Sequence, residues 1–193
     1  MTAPAGVIVP VRAFALGKAR LAERLTATER ADLARRFADR VVAAAGELPI
    51  VVVTSAPEVE EWAAELGVGT IADPGSLDAA ADAGRAHLAD RGCVRAVIAH
   101  ADLPFARTLA PVAGDGDAPV VALVPCHRDD GTTVLSVPVA APFRFAYGPG
   151  SFVRHVTEAG RLGLTVRVVR DPDLAFDVDV PADLDQLEVR DWS

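Results

Sequence analysis

Val7-Ile8-Val9-Pro10-Val11-Arg12-Ala13-Phe14-Ala15-Leu16-Gly17-Lys18-Ala19-Arg20-Leu21 decides how this chain folds. Its first five residues are a β-branched run of the kind buried on both faces of a parallel sheet. The loop that follows carries Arg12, Lys18 and Arg20. In α/β proteins the loop after the first strand is where phosphates bind, against the amino end of a helix. Lys18 is the only lysine; arginine supplies the rest of the 19 basic residues. Position alone leaves a phosphate-handling role and a solvated surface cation equally open, and the motifs below favour the first.

The same alternation continues outward. Thr26-Ala27-Thr28-Glu29 has the form of a capping box, and Leu33, Phe37 and Val41 then recur at helical spacing up to Gly46. Ile50 to Val53 reads as a second strand. Ser55 is the expected cap of a helix with Pro57 in its first turn. Thr70 to Ala72 is a brief third strand, and Ser76 caps a helix carrying Leu77, Ala81, Gly84 and Leu88. Val94 to Ala99 is the next buried strand. Pro111 to Pro119 reads as loop. Val120 to Val124 and Thr133 to Val137 form a hairpin turning at Asp129-Asp130-Gly131. A helix from Ser151, a strand from Leu164 to Val169 and a terminal helix starting at Pro181 complete the pattern. The fold expected is a single α/β domain over residues 1–193, Rossmann-like, with a mostly parallel sheet, flanking helices and an inserted hairpin. Residues 1–6 are expected to be flexible.

Composition narrows the function. Hydrophobic residues make up 51% and aromatics only 5%, which suits valine-rich strands and alanine-rich helix faces. A net charge of −8, with no basic run, argues against a nucleic-acid surface. The two cysteines, Cys93 and Cys126, suit reduced thiols in a cytoplasmic protein. No stretch is long and apolar enough for membrane insertion, and the amino terminus has no secretory pattern.

His100-Ala101-Asp102-Leu103-Pro104 follows directly on a central strand. A carboxylate there points into the crevice where open sheets bind ligands, although a turn aspartate has the same signature. In Phe176-Asp177-Val178-Asp179-Val180-Pro181, the two aspartates share a side of an extended segment. Asp177 is the expected metal ligand; Asp179 stands where it would cap the helix begun by Pro181. If Asp102 and Asp177 converge, two carboxylates about 4 Å apart repel by roughly 4 kcal/mol at an effective dielectric near 20. Phosphates would add to that, so the site calls for a bound cation. Mg²⁺ is the best match, being hard and held by one or two carboxylates plus phosphate oxygens. Gly131-Thr132-Thr133 and Tyr147-Gly148-Pro149-Gly150-Ser151 make a small candidate anion site, for which an ordinary capped helix is the plainer reading. The four histidines lack zinc-ligand spacing. Walker, dinucleotide and serine-elbow motifs are absent.

Taken in order, these motifs resemble the 2-phospho-L-lactate and phosphoenolpyruvate guanylyltransferases of deazaflavin coenzyme F-420 biosynthesis, relatives of the molybdopterin-cofactor nucleotidyltransferases. The resemblance runs from Val7 to about Leu187. It rests on Val9-Pro10-Val11-Arg12 with Lys18-Ala19-Arg20-Leu21-Ala22, on Ala101-Asp102-Leu103-Pro104, and on Gly131-Thr132-Thr133. Arg144-Phe145 with Gly148-Pro149-Gly150-Ser151, and Asp177-Val178-Asp179-Val180-Pro181-Ala182-Asp183-Leu184, complete it. It implies a nucleotide-diphosphosugar-transferase fold and transfer of GMP from GTP to a small phosphorylated acid. It further implies catalytic roles for Lys18, Asp102 and Asp177, with metal on both aspartates. Arg12, Lys18 and Asp78 would meet the nucleotide, and Thr132, Gly148 and Ser151 the acid. This chain differs from the family's usual residues at Arg12, Asp78, Asp130 and Val180. A sugar-phosphate or molybdopterin acceptor, a glycosyltransferase using Asp177-x-Asp179 as a D-x-D motif, and a nucleotide-binding module without chemistry are the alternative readings. The oligomeric state is not legible.

Overall fold

In the computed structural model, which describes residues 5–190, the opening run forms β1, Ala5–Pro10. The strand starts two residues before Val7, so Ala5 and Gly6 are not part of a flexible tail: they pair with Arg95 and Ala96. The remaining strands are β2, Ile50–Val53; β3, Gly69–Ile71; β4, Arg95–Ala99; β5, Val120–Pro125; β6, Thr132–Pro138; and β7, Thr165–Val168. They form one seven-stranded sheet in the order β3-β2-β1-β4-β6-β5-β7. Within it β6 alone runs antiparallel to its neighbours β4 and β5. The expected hairpin is therefore present, and it inserts its second strand between β4 and β5.

This topology decides where chemistry can occur. From β1 the chain winds outward through β2 and β3, then returns to lay β4 on the other side of β1. The strand order reverses between β1 and β4, and a crevice opens at their carboxyl ends. Because β6 is reversed, its first residues, Thr132 and Thr133, come to the same edge; His100 N–H donates to the Thr133 carbonyl at 3.0 Å.

The helices are α1, Ala27–Ala44; α2, Pro57–Glu65; α3, Leu77–Asp90; α4, Ala110–Ala113; α5, Ser151–Arg161; α6, Pro172–Ala175; and α7, Pro181–Val189. β1 shows how they cover the sheet: Val7 and Val9 face a core shared with α1, α2 and α4, while Ile8 faces α3. Fully burying each such side chain contributes about 1.5–3 kcal/mol. α3 approaches β1 closely because Gly84 has no side chain; a Cβ there would lie 2.6 Å from Cγ2 of Ile8. A third, smaller cluster joins Leu21 and Phe37 to Phe176, Val178, Leu184 and Leu187. It ties the cationic loop to the C-terminal segment.

The capping box of α1 is present at Thr26 and Glu29, and Ser76 caps α3. Three local expectations need correction. Ala56, not Ser55, is the cap residue of α2; Ser55 instead accepts from Asp73 N–H at 3.0 Å. The stretch read as loop from Pro111 to Pro119 begins inside α4, since proline is tolerated in a first helical turn and Val112 is buried. Asp179 does not cap α7. Asp183 reaches back to accept from the N–H groups of Asp179 and Val180 at 2.7 and 2.9 Å; Val180 has no side-chain acceptor, and it is its backbone carbonyl that accepts from Asp183 N–H, at 2.9 Å. Among the described residues no helix is long and apolar enough to cross a membrane.

Candidate active site

Lys18 is held in the left-handed backbone region, φ 57° and ψ 36°, just before a short 3₁₀ turn at Ala19–Glu23. That conformation costs a residue with a side chain about 1–2 kcal/mol, so tertiary contacts must fix it. They do. Its ammonium lies 2.6 Å from Asp102 Oδ2, 2.6 Å from the Val178 carbonyl and 3.5 Å from Asp179 Oδ1. Only 9% of the side chain is exposed, which excludes the solvated-surface alternative. Val178 N–H in turn donates to the Asp102 carbonyl at 3.4 Å. The loop after β1, the end of β4 and the segment before α7 thus meet on one lysine.

The electrostatics are those of a compensated acidic cluster. Burial alone would lower the Lys18 pKa, but Asp102 and Asp179 outweigh it and the net shift is upward. Burial would raise Asp102; Lys18, and more weakly His100, bring it below the ordinary carboxylate range. Asp177 goes the other way: burial and the neighbouring Asp102 and Asp179 charges raise it, partly offset by His127 and Arg128. Asp177 Oδ1 sits 3.0 Å from His127 Nδ1 and 3.5 Å from Arg128, whose guanidinium also grips Asp183 at 2.6 and 2.7 Å. The hairpin turn therefore anchors the C-terminal segment.

A cavity of about 390 Å³ opens over this cluster. Arg12, Lys18, Ser76, Leu77, His100 and Asp102 are among its lining residues, drawn from the loop after β1, the start of α3 and the end of β4. The size suits a small-molecule site. Asp102 Oδ1 is buried without a hydrogen-bond partner. A hard divalent cation would satisfy that oxygen, with Asp177 as the second carboxylate. Among the described residues no three His, Cys, Asp or Glu side chains surround one ion position. Such a cation would complete its shell with phosphate oxygens and water.

The remaining sequence-designated residues are distributed less simply. Arg12 faces the cavity, its guanidinium 3.5 Å from the Gly75 carbonyl. Asp78 is absent from the lining; its carboxylate accepts from Tyr147 N–H at 2.7 Å and joins α3 to the loop before α5. Thr132 and Ser151 are each 1% exposed and form a buried network with His155, whose Nδ1 is 3.0 Å from the Thr132 hydroxyl. Gly148 lies in the exposed loop ahead of α5, at φ 99°. The α5 amino terminus already holds an anion: Gly150 N–H donates to Asp130 Oδ1 at 2.7 Å and Phe152 N–H to the Asp130 carbonyl at 3.3 Å.

Sequence reasoning did not single out His100, His127, Arg128, Tyr147 or His155. The one available signal was the four-residue spacing of Ser151 and His155, which puts both on one helical face. Burial pushes His155 down to about 4 from 6.5, with Asp78 opposing and Arg154 and His100 adding to the fall. The unfolded ring takes up its proton first on acidification. Stability from this group is therefore intact above pH 6.5 and lost as pH falls toward 4, by about 3 kcal/mol in all. Melting temperatures of wild type and His155→Gln between pH 7 and 4 test this. The wild type is expected to lose more across that window, and parallel slopes would refute the assignment.

Comparison with known proteins adds to the geometry. Residues 5–190 match the family described as guanylyl transferase CofC like. The chain is 35% identical to the phosphoenolpyruvate guanylyltransferase of Sphaerobacter thermophilus, over 93% of this chain and 90% of that protein. It is 36% identical to the enzyme of the same name from Rubrobacter xylanophilus, over 94% and 92%. It is 32% identical to the 3-phospho-D-glycerate guanylyltransferase of Phenylobacterium zucineum, over 93% and 87%. Among solved structures, a Desulfovibrio desulfuricans G20 protein assigned to the nucleotide-diphospho-sugar transferases superposes with a TM-score of 0.77 at 19% identity, covering 96% of this chain and 86% of that one. The 4-diphosphocytidyl-2C-methyl-D-erythritol synthase of Anaerococcus prevotii gives 0.65 at 10% identity, over 97% and 96%. At these identities the structures speak to the fold alone.

Proposed function

The chain belongs to the CofC-like guanylyl transferases, and from that premise we propose that it transfers GMP from GTP to the phosphate of a small phosphorylated three-carbon acid. Phosphoenolpyruvate is the favoured acceptor, being named for the relatives at 35% and 36% identity. The product belongs to coenzyme F-420 biosynthesis, and two free, buried cysteines suit a cytoplasmic setting. Membership in this family also decides against the D-x-D glycosyltransferase reading.

The observation that carries the proposal is the meeting of Lys18 with Asp102 and the Asp177–Asp179 segment at the switch between β1 and β4. GTP would occupy the adjacent cavity, with Arg12 and Lys18 on its phosphates. A phosphate oxygen of the acid attacks the α-phosphorus in line; the new P–O bond forms as the bond to the β-phosphate oxygen breaks and pyrophosphate departs. The acceptor phosphate is already anionic and needs no general base. Asp102 and Asp177 would hold Mg²⁺, which when bound neutralises charge on the reacting phosphates. Lys18 adds fixed positive charge from a position that folding has already ordered, so little reorganisation accompanies reaction.

The direct test is pyrophosphate release from GTP with phosphoenolpyruvate, 2-phospho-L-lactate or 3-phosphoglycerate, with and without magnesium. Magnesium-dependent release with at least one acid, greatest with phosphoenolpyruvate, is expected. GTP binding without release under any condition would overturn the proposal in favour of a non-catalytic module.

A further inference from the structure

We propose that Arg128, in the hairpin turn, is a positioning residue for the metal site: by spanning Asp177 and Asp183 it fixes the segment that carries Asp177. This rests on the metal site of the reading above and goes beyond it by giving a role to Arg128 and Asp183, which the transfer chemistry itself does not use.

Asp183 is a carboxylate only 2% exposed. Its helix needs a cap, but a hydroxyl at position 180 would meet that need locally. Instead Oδ2 of Asp183 accepts from the N–H groups of both Asp179 and Val180. A buried charge must be compensated, and here the compensation comes from 55 residues away in sequence: Arg128 Nη2 lies 2.6 and 2.7 Å from the two Asp183 oxygens. Arg128 Nη1 lies 3.5 Å from Asp177 Oδ1. One rigid, planar guanidinium thus touches both carboxylates. His127, its neighbour in the turn, spans the same pair, with Nδ1 3.0 Å from Asp177 Oδ1 and Nε2 3.6 Å from Asp183 Oδ1. The His127 ring packs against Phe176, 4.8 Å between centroids.

The arrangement decides how Asp177 presents itself. Both hairpin contacts fall on Oδ1, and among the described residues no hydrogen bond reaches Oδ2. One oxygen is therefore held by the protein and the other is left for a cation. The same segment is tied on its far side, where the Val178 carbonyl accepts from Lys18 at 2.6 Å and Val178 N–H donates to the Asp102 carbonyl at 3.4 Å. A local cap would order α7 alone. The arginine orders α7 and the stretch from Asp177 to Val180 together, against a turn built on β5 and β6. Groups that orient a metal-holding side chain in this way typically contribute 10–100-fold, roughly, in metal affinity or activity.

Charge and positioning predict opposite signs. Arg128→Gln removes a positive charge beside Asp177, so electrostatics alone would strengthen cation binding, whereas loss of the clamp weakens it. Arg128→Lys keeps the charge but cannot bridge two carboxylates with one planar group. Mn²⁺ is titrated into the protein without nucleotide and followed by electron paramagnetic resonance; steady-state pyrophosphate release with phosphoenolpyruvate gives kcat and KM. Both variants are expected to raise the Mn²⁺ dissociation constant about tenfold and to lower kcat to a similar degree, with KM for GTP within about twofold. Measurements well below each variant's Tm keep unfolding out of the comparison, and Arg128→Lys serves if Arg128→Gln does not fold. Tighter Mn²⁺ binding by Arg128→Gln, with Arg128→Lys like the wild type, reduces the arginine to a charge and overturns the assignment. Unchanged dissociation constants in both variants, or a wild type that takes up no Mn²⁺, overturn it as well. A wild type that binds Mn²⁺ but turns over no phosphorylated acid overturns the guanylyltransferase reading, while the Mn²⁺ titrations of the variants still decide this one.

Discussion

Asp102→Asn is expected to lower kcat/KM for pyrophosphate release by on the order of 10²–10³, the loss typical of removing one group that stabilises charge in the transition state. Two effects contribute, and they separate experimentally. The amide carries no charge for a divalent cation, so the buried oxygen now without a partner loses its function. The substitution also strips Lys18 of its 2.6 Å carboxylate, leaving the ammonium on the Val178 carbonyl and the more distant Asp179. Breaking a buried pair from one side costs roughly 3 kcal/mol. The pair is mostly enclosed, with 9% and 22% of the two side chains exposed, so a fall in Tm should accompany the kinetic loss. Assays well below the new Tm isolate the chemical defect. A folded Asp102→Asn enzyme that keeps more than a tenth of wild-type kcat/KM would remove Asp102 from the reaction.

How much of this was visible in the sequence depends on how local each feature is. The β-branched runs at Val7 and Ile50 announce themselves, because strands buried on both faces carry unbroken apolar stretches. Asp102 was legible for the same reason: it follows such a run at a position fixed by chain direction. Thr26 was legible as a cap through Glu29 three positions on, and Ser76 because it stands directly before a helically spaced apolar run. The cap of α7 shows the limit. Asp179 stands next to Pro181 and looks the part, yet Asp183, one turn inside the helix, makes the bonds. That choice depends on side-chain reach, not on spacing. The contact of Lys18 with the Val178 carbonyl spans 160 residues, and no local pattern encodes it. The same holds for Asp78. Its place in the first turn of α3 was clear, but its bond to Tyr147 depends on how α3 and α5 share one face of the sheet. Tyr147 opened the candidate anion loop and His155 shares a helical face with Ser151, yet neither was read as a site residue, because their setting is made by tertiary packing.

Lys18→Ala is expected to lower two observables, turnover and the magnesium requirement, for different reasons. Turnover should fall by about 10², since the ammonium no longer supports the phosphates. The magnesium concentration for half-maximal activity should fall as well, several-fold. The reasoning starts from what Lys18 does in the protein alone: it supplies the positive charge shared by Asp102 and Asp179, beside an Asp177 already raised by burial and by those same neighbours. A divalent cation arriving at Asp102 must share or displace that charge. Without the lysine, the carboxylates repel one another uncompensated, and the incoming cation relieves the repulsion and gains affinity. Alanine inherits the left-handed backbone at φ 57° without the contacts that hold it, so the loop from Arg12 also loosens and KM for GTP should rise. Lys18→Met retains the aliphatic stem and separates the charge from the packing. If both variants turn over at wild-type rates, Lys18 is a structural tie only. If metal demand rises in step with the loss of turnover, the lysine helps to bring the cation in and does not compete with it.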